Sequence, residues 1–191
     1  MKQAIRTAAA CAVLAFVAGL AGCQKASEAV TEKAMEKSME AQMKKDGATE
    51  AKVDLSSGTI KSVTVDKDGT KKEFEMGNAS AVSEADLGLP FYPGAKIDNS
   101  HVMKVVNNNE MGMMVPLETT DSPEKAAAFY RERLKAMSSG RQFMDMAEGS
   151  STTLMLVNEA KSEVIQVMVS AGKNGEAATS ILLNVSRKKP A

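Results

Sequence analysis

The spacing of apolar residues changes several times along the chain, and each change predicts a different element. Thr7 to Gly22 is an uncharged run of mostly Ala, Val, Leu and Phe, and it stops at Cys23, beyond which the chain is polar. From Lys25 to Lys45 there is no Gly or Pro, and Met35, Met39 and Met43 recur at four-residue intervals, which predicts a helix with one narrow apolar stripe. Lys33 with Glu36, Lys37 with Glu40 and Glu40 with Lys44 are spaced for weak pairing on its surface, and Gly47 is a plausible terminator. The period then drops to two. Val63 and Val65 alternate with Ser62 and Thr64, and Phe74 and Met76 with Glu73 and Glu75, on either side of Asp66-Lys67-Asp68-Gly69, the pattern of a β-hairpin. Val53 and Leu55 suggest a short preceding strand. Residues 77 to 89 have no regular period and read as a linker.

Leu89-Pro90-Phe91-Tyr92-Pro93-Gly94-Ala95 excludes a helix and predicts an extended segment turning at Pro93-Gly94, suited to the centre of a type II turn. His101 to Val106 and Met111 to Leu117 read as strands around Asn107-Asn108-Asn109. Ser122 is a natural N-cap, with Pro123 in the first helical position and Glu124 favoured by the helix dipole. Ala127, Tyr130, Leu134 and Met137 continue the helix until Gly140. Three strand-like segments follow, Thr152 to Val157, Val164 to Ser170 and Ser180 to Val185, with Phe143-Met144 as the start of another. The order predicts an α+β fold: a signal peptide at 1–22, a helical stalk at 23–48, a β-hairpin at 49–76, a linker at 77–89, and at 90–189 a mainly antiparallel sheet packed by one helix.

The apolar start of the chain has a direction as well as a composition. Lys2 and Arg6 precede a run of 16 residues, short of the roughly 20 needed to span a bilayer as a helix. That is the layout of a secretory signal peptide. Leu20-Ala21-Gly22-Cys23 resembles the lipobox of bacterial lipoproteins, a Leu and two small residues before a cysteine. The resemblance implies diacylglycerol on the Cys23 thiol, cleavage after Gly22 and acylation of the new amino terminus. Gln24, where an Asp would retain such proteins in the inner membrane, implies the outer membrane, facing the periplasm.

Cysteine and charge counts sharpen this reading. Cys11 lies in the segment to be removed, so Cys23 is the sole cysteine of the mature chain and no disulfide supports the fold. The 24 Lys and Arg lose Lys2 and Arg6 on processing, leaving 22 against 24 Asp and Glu, a slightly negative chain unsuited to nucleic acid. The expected partners are the membrane, through the lipid, and an envelope protein or a small ligand.

A second resemblance covers roughly residues 59 to 137. Leu89, Pro90, Tyr92, Pro93, Gly94 and Ala95, then Thr120, Asp121, Ser122 and Pro123, then Phe129, Tyr130 and Leu134 are similar to a group of small bacterial lipoproteins and envelope proteins of unassigned function. Many of that group carry Gly-Trp after the helix, whereas this chain has Gly140-Arg141. The resemblance implies a fold and no reaction.

The residue inventory excludes several chemistries. His101 is the only histidine, and Cys/His metal spacings, a Gly-x-Ser-x-Gly elbow and phosphate-binding glycine loops are all absent. Asp66-Lys67-Asp68-Gly69 and Glu75 match part of a calcium loop, but Thr64 replaces its first ligand and strands flank it. No catalytic residue is assigned and no cofactor is expected. Fourteen methionines are unusual, and packing a core with few aromatics is their expected role. The alternative is a Cu(I)-handling lipoprotein with His101 and Met103 on one strand face as weak candidate ligands.

Overall fold

The computed structural model describes residues 24–172 and 179–189, so the expected signal peptide at 1–22 and the expected lipidation site Cys23 lie outside the described residues. The fold is α+β and mainly sheet. Helix α1 (Gln24–Lys45) leads into β1 (Ala48–Asp54), β2 (Thr59–Val65) and β3 (Lys71–Met76). After the short α2 (Glu84–Leu87) come β4 (Lys96–Ile97), β5 (Met103–Val106) and β6 (Glu110–Thr119). Helix α3 (Pro123–Ala136) is followed by β7 (Gln142–Glu148), β8 (Ser151–Asn158), β9 (Glu163–Ala171) and β10 (Thr179–Lys188). All ten strands form one antiparallel sheet in the order β1-β2-β3-β5-β6-β10-β9-β8-β7, with β4 beside β6.

Local signals set most of these elements. The Ser122 hydroxyl accepts from the Lys125 N–H at 3.3 Å and Pro123 opens α3. The Tyr92 carbonyl accepts from the Ala95 N–H at 3.0 Å, and Gly94 takes the positive φ of 73° that a type II turn requires. Asp66 and Asp68 are used by the hairpin turn: Asp68 Oδ1 accepts from the Thr70 N–H at 2.9 Å, and Asp66 pairs with Lys72 at 2.7 Å.

The expected linker is folded. Residues 79–81 form a 3-10 turn capped by Asn78, and Ser83 and Asp86 close a capping box on α2. Their purpose is to aim Val82, Leu87 and Leu89 into the core, where all three are buried. The hairpin at 49–76 is likewise continuous with the rest, because Glu73 to Met76 pair with Val106 to Met103. Gly77 makes the join: a Cβ there would lie 1.9 Å from the Gly58 carbonyl oxygen, so no other residue fits without moving backbone.

The helix expected as a stalk forms, but its second half is engaged. It runs antiparallel to β1, with Glu40 Oε1 accepting from the Val53 N–H and Glu36 Oε1 from the Leu55 N–H, both at 2.9 Å. These are outward-facing donors of an edge strand, the groups through which sheets aggregate, and the two carboxylates satisfy them. The face turned to the sheet is thus the acidic one. Met35 and Met39 remain exposed, and Met43 is half-buried.

The core lies between α3 and one face of the sheet. Ala126, Ala127, Tyr130 and Leu134 of α3 are buried over β7 to β10. Alternation supplies the other layer: Met113, Val115 and Leu117 from β6, Ile181, Leu183 and Val185 from β10, Ile165, Val167 and Val169 from β9, and Leu154 and Leu156 from β8.

Candidate functional site

Because strand side chains alternate, burying those positions under α3 turns the residues between them to the opposite face. Among the described residues no helix covers that face across β5 to β10. The pairing register aligns it into rows. One row crosses the sheet as Met76, Met103, Met114, Asn184, Gln166, Met155 and Met144 on β3, β5, β6, β10, β9, β8 and β7. A second runs Pro116, Leu182, Met168, Thr153, Met146. The third runs Val105, Gly112, Ser186, Val164, Val157, Gln142. Across β5 to β10 these rows hold no charged side chain. Val105, Met144, Met146 and Met168 are each more than a third exposed, an unusual cost for apolar groups in water.

A trough of about 350 Å³ opens in this face, lined by Met103, Val105, Met114, Val164, Gln166 and Asn184 with Gly112 in its floor. Gly112 sits mid-strand, where glycine weakens a sheet. Neither the usual steric nor the conformational reason for a glycine applies: its φ is not positive and an added Cβ would meet nothing within 4 Å. Its effect is to leave space above the strand for something to approach. Asn184 Nδ2 donates to Gln166 Oε1 at 3.5 Å, joining the two amides across neighbouring strands.

No protein-family model matches this chain, and neither a curated protein nor a solved structure does. The assignment therefore rests on the site.

The open face corrects the expectation that methionines fill the core. Met113 does, and Met111 and Met137 pack against it, but Met103, Met114, Met144, Met146, Met155 and Met168 lie on the other side of the sheet. The two candidate metal ligands do not share a strand face as expected. His101 is not in a strand with Met103; it ends a 3-10 turn at 99–101, and β5 begins at Met103. Its Nδ1 lies 2.6 Å from Asp98 Oδ2 and 3.0 Å from Ser100 Oγ. Both neighbours meet the same ring nitrogen, so the trio is a capped turn and not a relay of base and nucleophile. The Ser100 hydroxyl, and after it the His101 ring, hold the Asp98 carboxyl below its ordinary pKa. Among the described residues no group of His, Cys, Asp or Glu is arranged to hold a metal ion.

A second concavity, of about 310 Å³, lies beside β2, β3 and β5 on the α3 side and is internally matched. Lys61 pairs with Glu75 at 2.6 Å, Asn78 donates to Glu75 at 2.8 Å, and Lys104 donates to the Ala81 carbonyl at 2.8 Å. Those contacts fasten the 79–81 turn to the sheet.

The residues that carry the envelope-protein resemblance come together as a structural cluster. The Tyr92 ring meets Phe129 edge-on at 5.0 Å, Phe129 meets Tyr130 in the same way at 5.0 Å, and Tyr130 donates to the Pro90 carbonyl at 3.3 Å. The Tyr92 hydroxyl donates to Asp121 Oδ2 at 2.6 Å, Lys125 Nζ reaches Oδ1 at 3.0 Å, and buried Thr179 donates to the Asp121 backbone carbonyl. This ties the turn before α3 to the 90–95 segment and to β10.

The pair has a pH signature. Burial first, and then the Asp121 carboxylate, push the Tyr92 hydroxyl up to about 12, so its contribution weakens as pH rises above 10.0, where the unfolded tyrosine ionises first. The Tyr92 hydrogen bond and then Lys125 hold Asp121 below 3.8, so the carboxylate contributes above that value and the contribution is lost as pH falls through the lowered pKa. Asp121→Asn should therefore melt below the unaltered protein at neutral pH, with the gap closing in acid. Thermal melts across the acid range check this; a gap independent of pH would mean that the carboxylate charge plays no part.

Proposed function

We propose that the mature chain is a lipoprotein anchored in the bacterial outer membrane through Cys23, facing the periplasm, and that its domain binds through the open sheet face and catalyses no reaction. The observation that carries the binding reading is the apolar trough over Gly112, where the sheet leaves room that its own packing does not use. The anchor reading is supported by Lys2 and Arg6, the uncharged run and Leu20-Ala21-Gly22-Cys23 occurring in that order. A single acyl chain gives marginal membrane binding, and several on one residue give a lasting anchor. No helix among the described residues is long and apolar enough to cross a membrane.

Helix α1 suits such an anchor. Its 22 residues reach about 33 Å, and its contacts with the β1 edge begin at Glu32, so the Gln24 end extends about two turns beyond them. Cys23→Ser removes the thiol that would take the lipid. Metabolic labelling with a palmitate analogue should mark the unaltered protein and leave the variant unlabelled and unprocessed; a variant that labels and matures normally would sink the anchor reading.

A further inference from the structure

The open face reads alike from both ends. Across β5, β6, β10, β9, β8 and β7 its middle row is Met103, Met114, Asn184, Gln166, Met155, Met144: two thioethers, two amides, two thioethers. A two-fold axis parallel to the strands and passing between β10 and β9 maps this row onto itself. We infer that the occupant of the open face is a second copy of this chain, packed face to face as a two-layer sandwich. The inference rests on the proposed function in taking this face as the binding surface.

That axis places unlike groups of matching chemistry together. Met103 faces Met144 of the second copy, and Met114 faces Met155, so flexible thioethers meet thioethers. Asn184 faces Gln166, and each amide offers both a donor and an acceptor, the requirement for a contact that must be self-complementary. In the neighbouring row Gly112 comes opposite Val157, which assigns the glycine its use: it admits a branched side chain where any Cβ would fill the space. In the remaining row Leu182 faces Met168. Charged side chains stand only at the borders of this face, with Lys188 beside Glu110, Lys96 beside Glu118, and Glu148 at the β7 end of the same row as Lys96 and Glu118. Both signs occur there, so no block of like charge opposes the approach of an identical face.

Size agrees with this occupant. Six strands spaced about 4.8 Å apart and three rows of side chains give about 600 Å² per chain, or about 1,200 Å² for the pair, the lower end of specific interfaces. Packed sheets lie about 10 Å apart and cross at about 30°, so the match is closest at the amides and loosens towards β5 and β7. Two chains anchored by lipid in one membrane are confined near each other, which offsets a modest interface.

The test is cysteine pairing in the full chain in its membrane, since Cys23 is the only other cysteine of the mature protein. Met114 and Met155 of facing copies are about 10 Å apart, whereas Met114 and its own copy are about 17 Å apart, as are Met155 and its copy. Met114→Cys/Met155→Cys should give a band of twice the chain mass with a short bismaleimide. Met114→Cys alone and Met155→Cys alone should not, and the two single variants made together should. Adding Leu182→Asp should reduce the double-variant product by about tenfold or more, by burying an unpaired charge, without changing the melting curve. Absence of the double-variant band, an equal band from either single variant, or a product with a different protein overturns the inference. Palmitate-analogue labelling of the same samples separates the two claims: labelled chains that do not pair refute the dimer and leave the anchor standing, while unlabelled chains that pair do the reverse.

Discussion

Replacing Tyr130 with Ala should lower the domain's stability by about 3 to 5 kcal/mol, a large part of the roughly 5 to 15 kcal/mol that holds a domain of this kind together. The residue lies at the centre of the α3 stripe with no exposed surface. Its ring packs between Tyr92 and Phe129, with centroids at 6.3 and 5.0 Å, and its hydroxyl donates to the Pro90 carbonyl. Burial pushes that hydroxyl's pKa up, keeping it a neutral donor. Truncation would leave a cavity bordered by two rings and free the carbonyl that fixes the 90–95 segment. Urea titration followed by circular dichroism reads the loss. Tyr130→Phe keeps the ring and should cost only about 0.5 to 1.5 kcal/mol, while Leu134→Ala, one turn further on, should cost about 2 to 5 kcal/mol. An unchanged midpoint in Tyr130→Ala would mean that α3 does not pack as described.

A chain ending at Ser139 should not fold. It would keep α3 and lose β7 to β10, the strands beneath it, and with them Leu154, Leu156, Ile165, Val167, Val169, Ile181, Leu183 and Val185 of the core. It would also strip β6 of its longest partner, since the β6–β10 register runs from Thr119 with Thr179 to Glu110 with Lys188. The remainder would expose both an apolar helix face and a long strand edge, and should aggregate without a cooperative transition. Removing α1 instead should leave a cooperatively melting domain, because among the described side chains none of α1 belongs to the core cluster. What such a chain should lose is solubility, through the Val53 and Leu55 donors that Glu40 and Glu36 no longer cover. Sedimentation and thermal melts distinguish the outcomes: a cooperative transition in the chain ending at Ser139 would contradict the placement of the core.

Apart from 77–89, the two-residue β4 and the short 3-10 turns, the order of strands and helices was legible from the sequence, since each boundary depends on residues a few positions apart. Ser122-Pro123, Tyr92-Pro93-Gly94 and Asp66 to Gly69 all act within one turn, and the structure uses each as expected. Segment 77–89 was misread because its apolar residues, Val82, Leu87 and Leu89, are too few to show a period. Ser83 and Asp86, spaced as a capping box, were the signal that could have identified α2. Helix α1 was legible as a helix and not as an edge cover, because a carboxylate stripe on a surface helix looks the same whether it faces water or unpaired backbone.

Patterning alone therefore determined that the chain is an α+β protein with a helix on a mainly antiparallel sheet, and that His- and Cys-based chemistry has few residues to work with. Tertiary structure decided which face of that sheet is covered. Alternation marks two sides of every strand without saying which will meet α3, and the methionines of β5 to β9 looked like core until the register set them in rows on the other side. Those rows depend on pairings such as Met114 with Asn184 and Gln166 with Met155, which join distant parts of the chain. A side chain's place on a strand is a local property; its neighbours across the sheet are fixed only when the whole sheet has formed.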